Sequence, residues 1–98
     1  MNPAVTFHED ARAEFDEAAG FYNMERAGLG VAFVHEVECA VAHVREYPAS
    51  RPILRGRVRT MRVHRFPHAV LYSVVDERIR VLVVAHDRRR PFYRSGRE

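Results

Sequence analysis

The chain has 98 residues, of which 47% are apolar, so it can form one domain with a single core and wholesale disorder is excluded. Its one cysteine, Cys39, excludes an intramolecular disulfide and a cysteine-rich zinc site. The first residues lack the basic and apolar segments of a signal peptide, and the longest apolar run, Val81 to Ala85, is too short to span a bilayer. We therefore expect a cytoplasmic protein that has no membrane partner.

Charge is divided unevenly along the chain, whose net charge is +3. Residues 1–50 hold three arginines and nine acidic residues, whereas residues 51–98 hold thirteen arginines and four acidic residues. The basic half is expected to face an anionic partner. All basic residues are arginine, which suits phosphate and carboxylate recognition but is equally consistent with a GC-rich genome. No lysine is present to act as a nucleophile or base.

The acidic half predicts a short strand followed by two helices. The strand covers Val5 to His8, although residues 6–9 also match a helix-capping box. Helical periodicity then begins near Glu9 and breaks at residues 23–28, with apolar residues at steps of three or four: Ala11, Phe15, Ala18 and Tyr22. A second helix is predicted from about Leu29 to Glu46, ahead of Pro48. A short break between two helices indicates an antiparallel helical hairpin.

In the basic half, the apolar period falls to two after a connection over residues 47–56. This pattern predicts three strands, at about 58–66, 69–75 and 79–86. The alternation slips near Thr60 and Met61, which predicts a bulge or twist there. In the last strand, Val81, Val83 and Ala85 are expected on one face and His86 on the other.

These elements predict an α+β fold with the order β-α-α-β-β-β. An N-terminal helical hairpin packs on a mostly antiparallel sheet of about four strands. We expect a single domain over residues 1–98 that ends in a basic tail, residues 87–98.

Three segments carry a family resemblance: HEDARAEF at residues 8–15, VHRFPHAVLY at 63–72 and VVAHDRRRPFY at 83–93. In this order and at this chain length, they resemble the RelE/ParE superfamily of toxins from bacterial type II toxin–antitoxin systems. The resemblance implies a compact, cytoplasmic bacterial toxin that a cognate antitoxin wraps and neutralises. It also implies one of two targets, because RelE-like members cleave mRNA in the ribosome whereas ParE-like members inhibit DNA gyrase and are not nucleases.

For a nuclease, the resemblance assigns catalytic roles to individual residues. Arg62 falls where a cation on the sheet is expected, Arg88 matches a phosphate-stabilising arginine, and Tyr93 matches a tail tyrosine if one gap is allowed. His86 is a candidate acid or base because histidine titrates near working pH, the alternative being a half-buried histidine bonded to the backbone. His64 and His68 flank a turn and are expected at the surface.

Two expected cations are missing from the candidate active site. Thr60 and Ala69 stand where RelE-like enzymes carry basic residues, and loss of such donors without replacement is expected to abolish chemistry. This departure favours a gyrase inhibitor. An mRNA endoribonuclease is the alternative, and a non-toxic basic module that binds RNA or protein is a third possibility.

The remaining arginines form a candidate surface for nucleic acid or a protein partner: Arg57, Arg59, Arg65, Arg89, Arg90 and Arg94. Phe92 and Tyr93 lie among them as possible stacking platforms. The alternative is a solvated chain end, and the same arginines suit an acidic antitoxin segment.

A row of metal-ligating residue types lies on the second helix. His35, Cys39 and His43 recur every four residues, a spacing that can bind a metal. The row falls on the face opposite the apolar stripe and lacks the His-Glu-x-x-His order, so we expect neither a metal nor a cofactor.

Overall fold

Residues 3–88, the part of the chain that the computed structural model describes, form two helices and five strands. Their order is β1 (Ala4–Phe7), α1 (Glu9–Glu25), α2 (Leu29–Glu46), β2 (Ile53–Arg55), β3 (Val58–Arg62), β4 (His68–Val75) and β5 (Arg78–His86). This arrangement confirms the predicted α+β fold. The additional strand, β2, lies within the connection predicted over residues 47–56.

The five strands form one mixed sheet in the order β1-β5-β4-β3-β2. The pairs β2–β3, β3–β4 and β4–β5 are antiparallel, and β1 joins the other edge parallel to β5. β4 is therefore the central strand, as its nearly continuous apolar sequence predicts.

Helix α1 extends three residues beyond the start of the predicted break. His8 caps its N-terminus, because the His8 Nδ1 accepts a hydrogen bond of 3.1 Å from the backbone N–H of Asp10. Asn23, predicted to begin the break, is helical, and its side-chain oxygen accepts a 2.9 Å hydrogen bond from the backbone N–H of Gly30. Asn23 thus links the two helices instead of ending the first.

The two helices approach each other closely at Gly30, where α2 begins. A Cβ atom at Gly30 would overlap the carbonyl oxygen of Ala19 and would lie 2.6 Å from Cγ of Asn23. Only a hydrogen atom fits in this space, so Gly30 sets the distance between the helices. By contrast, a Cβ atom at Gly20, in the exposed part of α1, would meet nothing within 4 Å.

The helical hairpin covers one face of the sheet, and the core lies between them. From the helices come Ala11, Phe15, Phe33, Val37 and Val44, and from the strands and the turn before β4 come Val63, Phe66, Val70, Tyr72, Ile79, Val81 and Val84. Aromatic rings connect this layer, with the Phe33 ring centroid within 6.0 Å of those of Phe15, Tyr22 and Phe66. Neither helix in residues 3–88 is long and apolar enough to cross a membrane.

A one-residue register shift separates β4 from β5. Leu71 pairs with Val83, but the next residue of β4, Tyr72, pairs with Val81, so Leu82 is extra. Because of this bulge, Val84 rather than Val83 follows Val81 on the helix-covered face. The prediction that Val81, Val83 and Ala85 share one face was wrong.

Strand β3 is regular and shorter than predicted. Thr60 pairs with Leu71 and Met61 pairs with Val70 without interruption, so the bulge expected at these two residues was wrongly placed. The strand ends at Arg62, because residues 63–67 turn through Arg65, whose φ is +72°.

His68 is buried, contrary to the surface position expected from its place beside a turn. It is 4% exposed, and its Nδ1 lies 3.4 Å from the hydroxyl oxygen of Tyr22. Its ring also contacts Phe33 and His86. Burial, followed by the nearby His86, lowers the pKa of His68 from 6.5 to about 4, so the imidazole is neutral at physiological pH.

We expect Gly30→Ala to destabilise the protein by roughly 1–3 kcal/mol, because the new methyl group must separate the helices. Gly20→Ala is the matched control and should stabilise α1 by about 0.5–1 kcal/mol, since alanine restricts the unfolded chain and meets nothing in the folded one. Urea unfolding of both variants measures the difference. Equal effects at the two positions would contradict the close approach at Gly30.

We expect stability to fall as pH decreases from about 6.5 to about 4. In this interval the unfolded chain takes up a proton at His68 and the folded chain does not, a cost of up to roughly 3 kcal/mol once pH is below 4. His68→Gln should remove this component, whereas His64→Gln, at an exposed position, should retain it. The assignment of a lowered pKa to His68 would be refuted if wild type and His68→Gln differed in unfolding free energy by the same amount at every pH from 7 to 4.

Candidate functional site

One end of the sheet brings together several of the residues that the sequence singled out. β3 ends there with Arg62, β4 begins with His68, and β5 ends with His86. His68 and His86 are register partners, and Arg62 pairs with Ala69. We call the following group the sheet-end cluster: Arg62, His68, His86, Asp87 and Arg88.

Asp87 binds Arg62 through both carboxylate oxygens. The two terminal nitrogens of Arg62 donate hydrogen bonds of 2.5 and 2.8 Å to Asp87, and the Asp87 backbone N–H donates to the carbonyl of Pro67 at 2.8 Å. The hydrogen bonds from Arg62 lower the pKa of Asp87, and the same bonds raise the pKa of Arg62. The guanidinium fork of Arg62 is therefore occupied by a carboxylate of its own chain.

His86 is held by the backbone that follows it. Its Nδ1 accepts a 3.1 Å hydrogen bond from the backbone N–H of Arg88, and its half-buried ring lies edge-on to His68 with centroids 5.1 Å apart. When Nδ1 accepts, a neutral imidazole carries its proton on Nε2. In that state Nε2 is a hydrogen-bond donor and not a base. This geometry is the one expected for a backbone-bonded histidine, and a catalytic role for His86 or for the exposed Arg88 stays a prediction.

Tyr22 links the cluster to the helices, a role that the sequence did not indicate because its spacing marks it only as a core residue. Its hydroxyl faces His68, and its ring packs against Phe33 and Phe66. Burial, and then the negative charge of Asp87, raise the pKa of Tyr22. The tyrosine therefore stays protonated and can donate a hydrogen bond to the neutral His68.

The face of the sheet opposite the helices, which neither helix of residues 3–88 covers, is called the open face here. It is apolar at the positions where a nuclease would need charge. Thr60 lies beside Leu71, and Ala69 lies between Arg62 and Ala85. Two exposed arginines, Arg78 and Arg80, lie at the far end of β5 from Arg62. Arginines thus occur at both ends of the open face but not at positions 60 and 69.

Three of the other predicted binding arginines, Arg57, Arg59 and Arg65, fall within residues 3–88, and they have different surroundings. Arg59 donates hydrogen bonds of 3.3 and 2.7 Å to the carbonyls of Ala49 and Arg51, which ties down the loop before β2. Arg65 lies 3.9 Å from the carboxylate of Glu36 on α2. Arg57 is exposed in the turn between β2 and β3. The remaining candidates, Arg89, Arg90, Tyr93 and Arg94, lie outside the described residues.

The metal-type row on α2 is brought only partly together. Cys39 Sγ lies 3.6 Å from His35 Nε2 on the exposed face, whereas the His43 ring packs against Tyr47 at 5.3 Å. Within residues 3–88, no three His, Cys, Asp or Glu side chains are arranged to hold a metal ion.

The fold is shared with a solved toxin–antitoxin structure. The chain is similar to a protein in a structure described as the chromosomal ParDE TA system from P. aeruginosa, with a TM-score of 0.75 over 86% of this chain and 95% of that chain. The two are 19% identical in sequence, so this likeness establishes the fold alone. No curated protein sequence matches the chain.

Membership of a family is established by a separate comparison of sequences. The profile of the ParE toxins of the type II toxin–antitoxin system parDE matches residues 5–91. The match begins within β1 and runs through the sheet-end cluster, so it includes all the described helices and strands except the first residue of β1. The chain therefore belongs to the family of ParE toxins of type II toxin–antitoxin systems.

Proposed function

We propose that this protein is a toxin that inhibits DNA gyrase in the bacterial cytoplasm, without cutting RNA, until a cognate antitoxin neutralises it. The observation that carries the proposal is the pairing of Arg62 with Asp87 at the sheet end. It is supported by membership of the ParE family, since ParE-like toxins act on gyrase.

Cleavage of RNA by its own 2′-hydroxyl requires a base, an acid and a cation near the developing phosphorane. Arg62, the candidate cation on the sheet, has its fork filled by Asp87, whose negative charge also repels phosphate. Thr60 and Ala69 supply no replacement. Loss of one transition-state donor typically costs about 2.7–4 kcal/mol, so a site that lacks two and neutralises a third is poorly suited to nuclease chemistry.

An inhibitor of gyrase needs a binding surface and no proton transfer. The sheet end fits this requirement, because His68 is neutral, His86 is bonded to the backbone, and Arg62 is paired with Asp87. Beside it on the open face, the half-buried Leu71 and Ala85 provide apolar area for contact with a protein.

In a supercoiling assay with purified gyrase, we expect the protein to block supercoiling and to trap cleaved plasmid DNA. Relaxation by a type I topoisomerase is the control and should be unaffected. In cells that express the toxin alone, filaments with damaged DNA should appear while mRNA stays intact. Normal growth would instead support a non-toxic binding module.

The alternative of an mRNA endoribonuclease is favoured by one feature, the adjacency of His86 and Arg88 at the end of β5. If its ring is protonated, which requires the hydrogen bond from Arg88 N–H to Nδ1 to break, His86 could act as the general acid through Nε2, and Arg88 could bind the phosphate. If this alternative holds, rapid translation arrest with cleaved mRNA should follow induction, and His86→Ala and Arg88→Ala should each abolish cleavage. Intact mRNA in ribosome-containing extracts would exclude it.

We expect Asp87→Asn to release the Arg62 fork and to strengthen binding of a short RNA oligonucleotide severalfold at low salt, because a charge-assisted bond to phosphate replaces the internal pair. Asp76→Asn, which removes the same charge from the exposed turn between β4 and β5, is the matched control. Adding Arg62→Ala to Asp87→Asn should restore weak binding. Equal effects of the two single variants would mean that only net charge matters and that Arg62 is not held by Asp87.

A further inference from the structure

The outer face of α2 carries a histidine and a cysteine whose ligand atoms are already close together. His35 and Cys39 are four residues apart, so both side chains leave the same side of the helix, and both are exposed. Cys39 Sγ lies 3.6 Å from His35 Nε2. The opposite face of α2 is buried through Phe33, Val37 and Val44, so the pair is held on a fixed element.

The distance between these two atoms is the one that a tetrahedral metal ion requires. A zinc–sulfur bond of about 2.3 Å and a zinc–nitrogen bond of about 2.0–2.1 Å, meeting at the tetrahedral angle, place sulfur and nitrogen about 3.6 Å apart. Without a metal, the same distance allows a weak hydrogen bond between thiol and imidazole, which keeps the two side chains in this arrangement. The pair can therefore occupy two corners of a zinc site without a change of rotamer.

One chain supplies only half of such a site. Within residues 3–88, no third His, Cys, Asp or Glu side chain joins the pair. The ring of His43, which comes next in the row, packs against Tyr47 with centroids 5.3 Å apart. Structural zinc sites almost always have four ligands, and two cysteines with two histidines are a common set. A second copy of the chain carries the same pair and so supplies the two missing ligands.

We propose that a zinc ion joins two copies of this chain through His35 and Cys39 of each copy. Binding releases the two thiol protons, so Zn²⁺ with two thiolates and two neutral imidazoles forms a centre without net charge. Because the pair lies on the side of the hairpin away from the sheet, the bridged copies keep both open faces accessible. The proposal departs from the expectation that the row on α2 binds no metal, because that expectation concerned the order of ligands within one helix.

Charge and side-chain size around the pair favour a cation and a close approach. Glu38 and Glu46 are exposed on α2, whereas its single arginine, Arg45, donates a 3.1 Å hydrogen bond to the carbonyl of Pro3. Two such faces repel each other unless a cation lies between them. Ala42, exposed on the same side of α2, is small and lets a second helix approach. Association through this face therefore depends on the metal.

Addition of zinc to the purified, untagged chain under reducing conditions tests the proposal. Analytical ultracentrifugation should show monomers becoming dimers at one zinc ion per two chains, and EDTA should reverse the change. His35→Ala and Cys39→Ala should each weaken zinc binding by roughly a hundredfold or more, since even changes around the ligands typically cost about 10–100-fold. His43→Ala is the matched control on the same face and should bind zinc as wild type does. All three positions are exposed, so the variants should keep the wild-type circular dichroism spectrum.

Cobalt in place of zinc reports on the ligands directly. Wild type and His43→Ala should show the strong visible absorption of a tetrahedral Co²⁺ ion together with a thiolate-to-metal charge-transfer band. Both signals should be absent from Cys39→Ala. Weak absorption typical of six-coordinate cobalt in wild type would contradict a tetrahedral site.

Three results would overturn the proposal. The chain may not remain monomeric at saturating zinc, and His35→Ala and His43→Ala must not lose zinc affinity equally. A dimer that resists EDTA and is separated by a reductant would be a disulfide between two Cys39 residues instead of a metal site. Failure of gyrase inhibition would affect none of these measurements, so this proposal and the proposed function fail independently.

Discussion

The extra residue in β5, Leu82, is the constraint on which the sheet-end cluster depends. Before Leu82, Val81 faces the helices. After Leu82 the alternation of side chains is shifted by one residue, so Val84 and His86 face the helices and Val83 and Ala85 do not. Strand β1 ends at Phe7, which pairs with Val81, so it does not reach Val84. The backbone N–H of Val84 instead donates a 3.1 Å hydrogen bond to the carboxylate of Glu14 on α1. The helix thus satisfies a backbone donor next to the bulge, beyond the reach of β1.

The bulge determines which chemical groups meet at the sheet end. Regular alternation would place His86 on the open face and Asp87 toward the helices. With Leu82 inserted, His86 lies against the buried His68, and Asp87 returns to the side on which Arg62 lies. One inserted residue therefore produces a pair of packed histidines on the covered face and an ion pair on the open face. Because Asp87 then pairs with Arg62, the guanidinium of Arg62 is no longer available to bind phosphate.

The elements whose ends are marked by glycine or proline could be predicted from the sequence. Helix α2 begins after Gly28, whose φ is +85°, and ends just before Pro48, so its predicted bounds agree with the structure. Strand β2 could not be foreseen, because all three of its residues are exposed and show no alternation. The bulge at Leu82 could not be predicted either. Every residue from Val81 to Ala85 is apolar, so the sequence does not show which of them face the helices.

The structure brings the residues singled out by the sequence to one end of the sheet, but their partners could not be predicted. Arg62, His86 and Arg88 all lie at that end, with Arg62 and His86 on opposite faces, and their catalytic roles stay predictions. Asp87 was missed because an acidic residue inside an arginine-rich tail looks like a minor interruption of the charge. Tyr22 was missed because its spacing is that of a core residue, and nothing in the sequence indicates that β4 will bring His68 beneath it.

The number of arginines in the second half overstates the positive surface that is available to a partner. Arg59 is used by backbone carbonyls, Arg65 lies near Glu36, and Arg62 is held by Asp87. The two carboxylates that neutralise Arg65 and Arg62 lie outside the acid-free segment between Glu46 and Asp76. Strand β3 belongs to that segment, so the carboxylate that pairs with Arg62 at the end of β3 comes from Asp87, the residue directly after β5. The cluster that resembles a catalytic site therefore has its sheet arginine neutralised by its own chain, and this neutralisation separates its electrostatics from those of a site that is ready to bind phosphate.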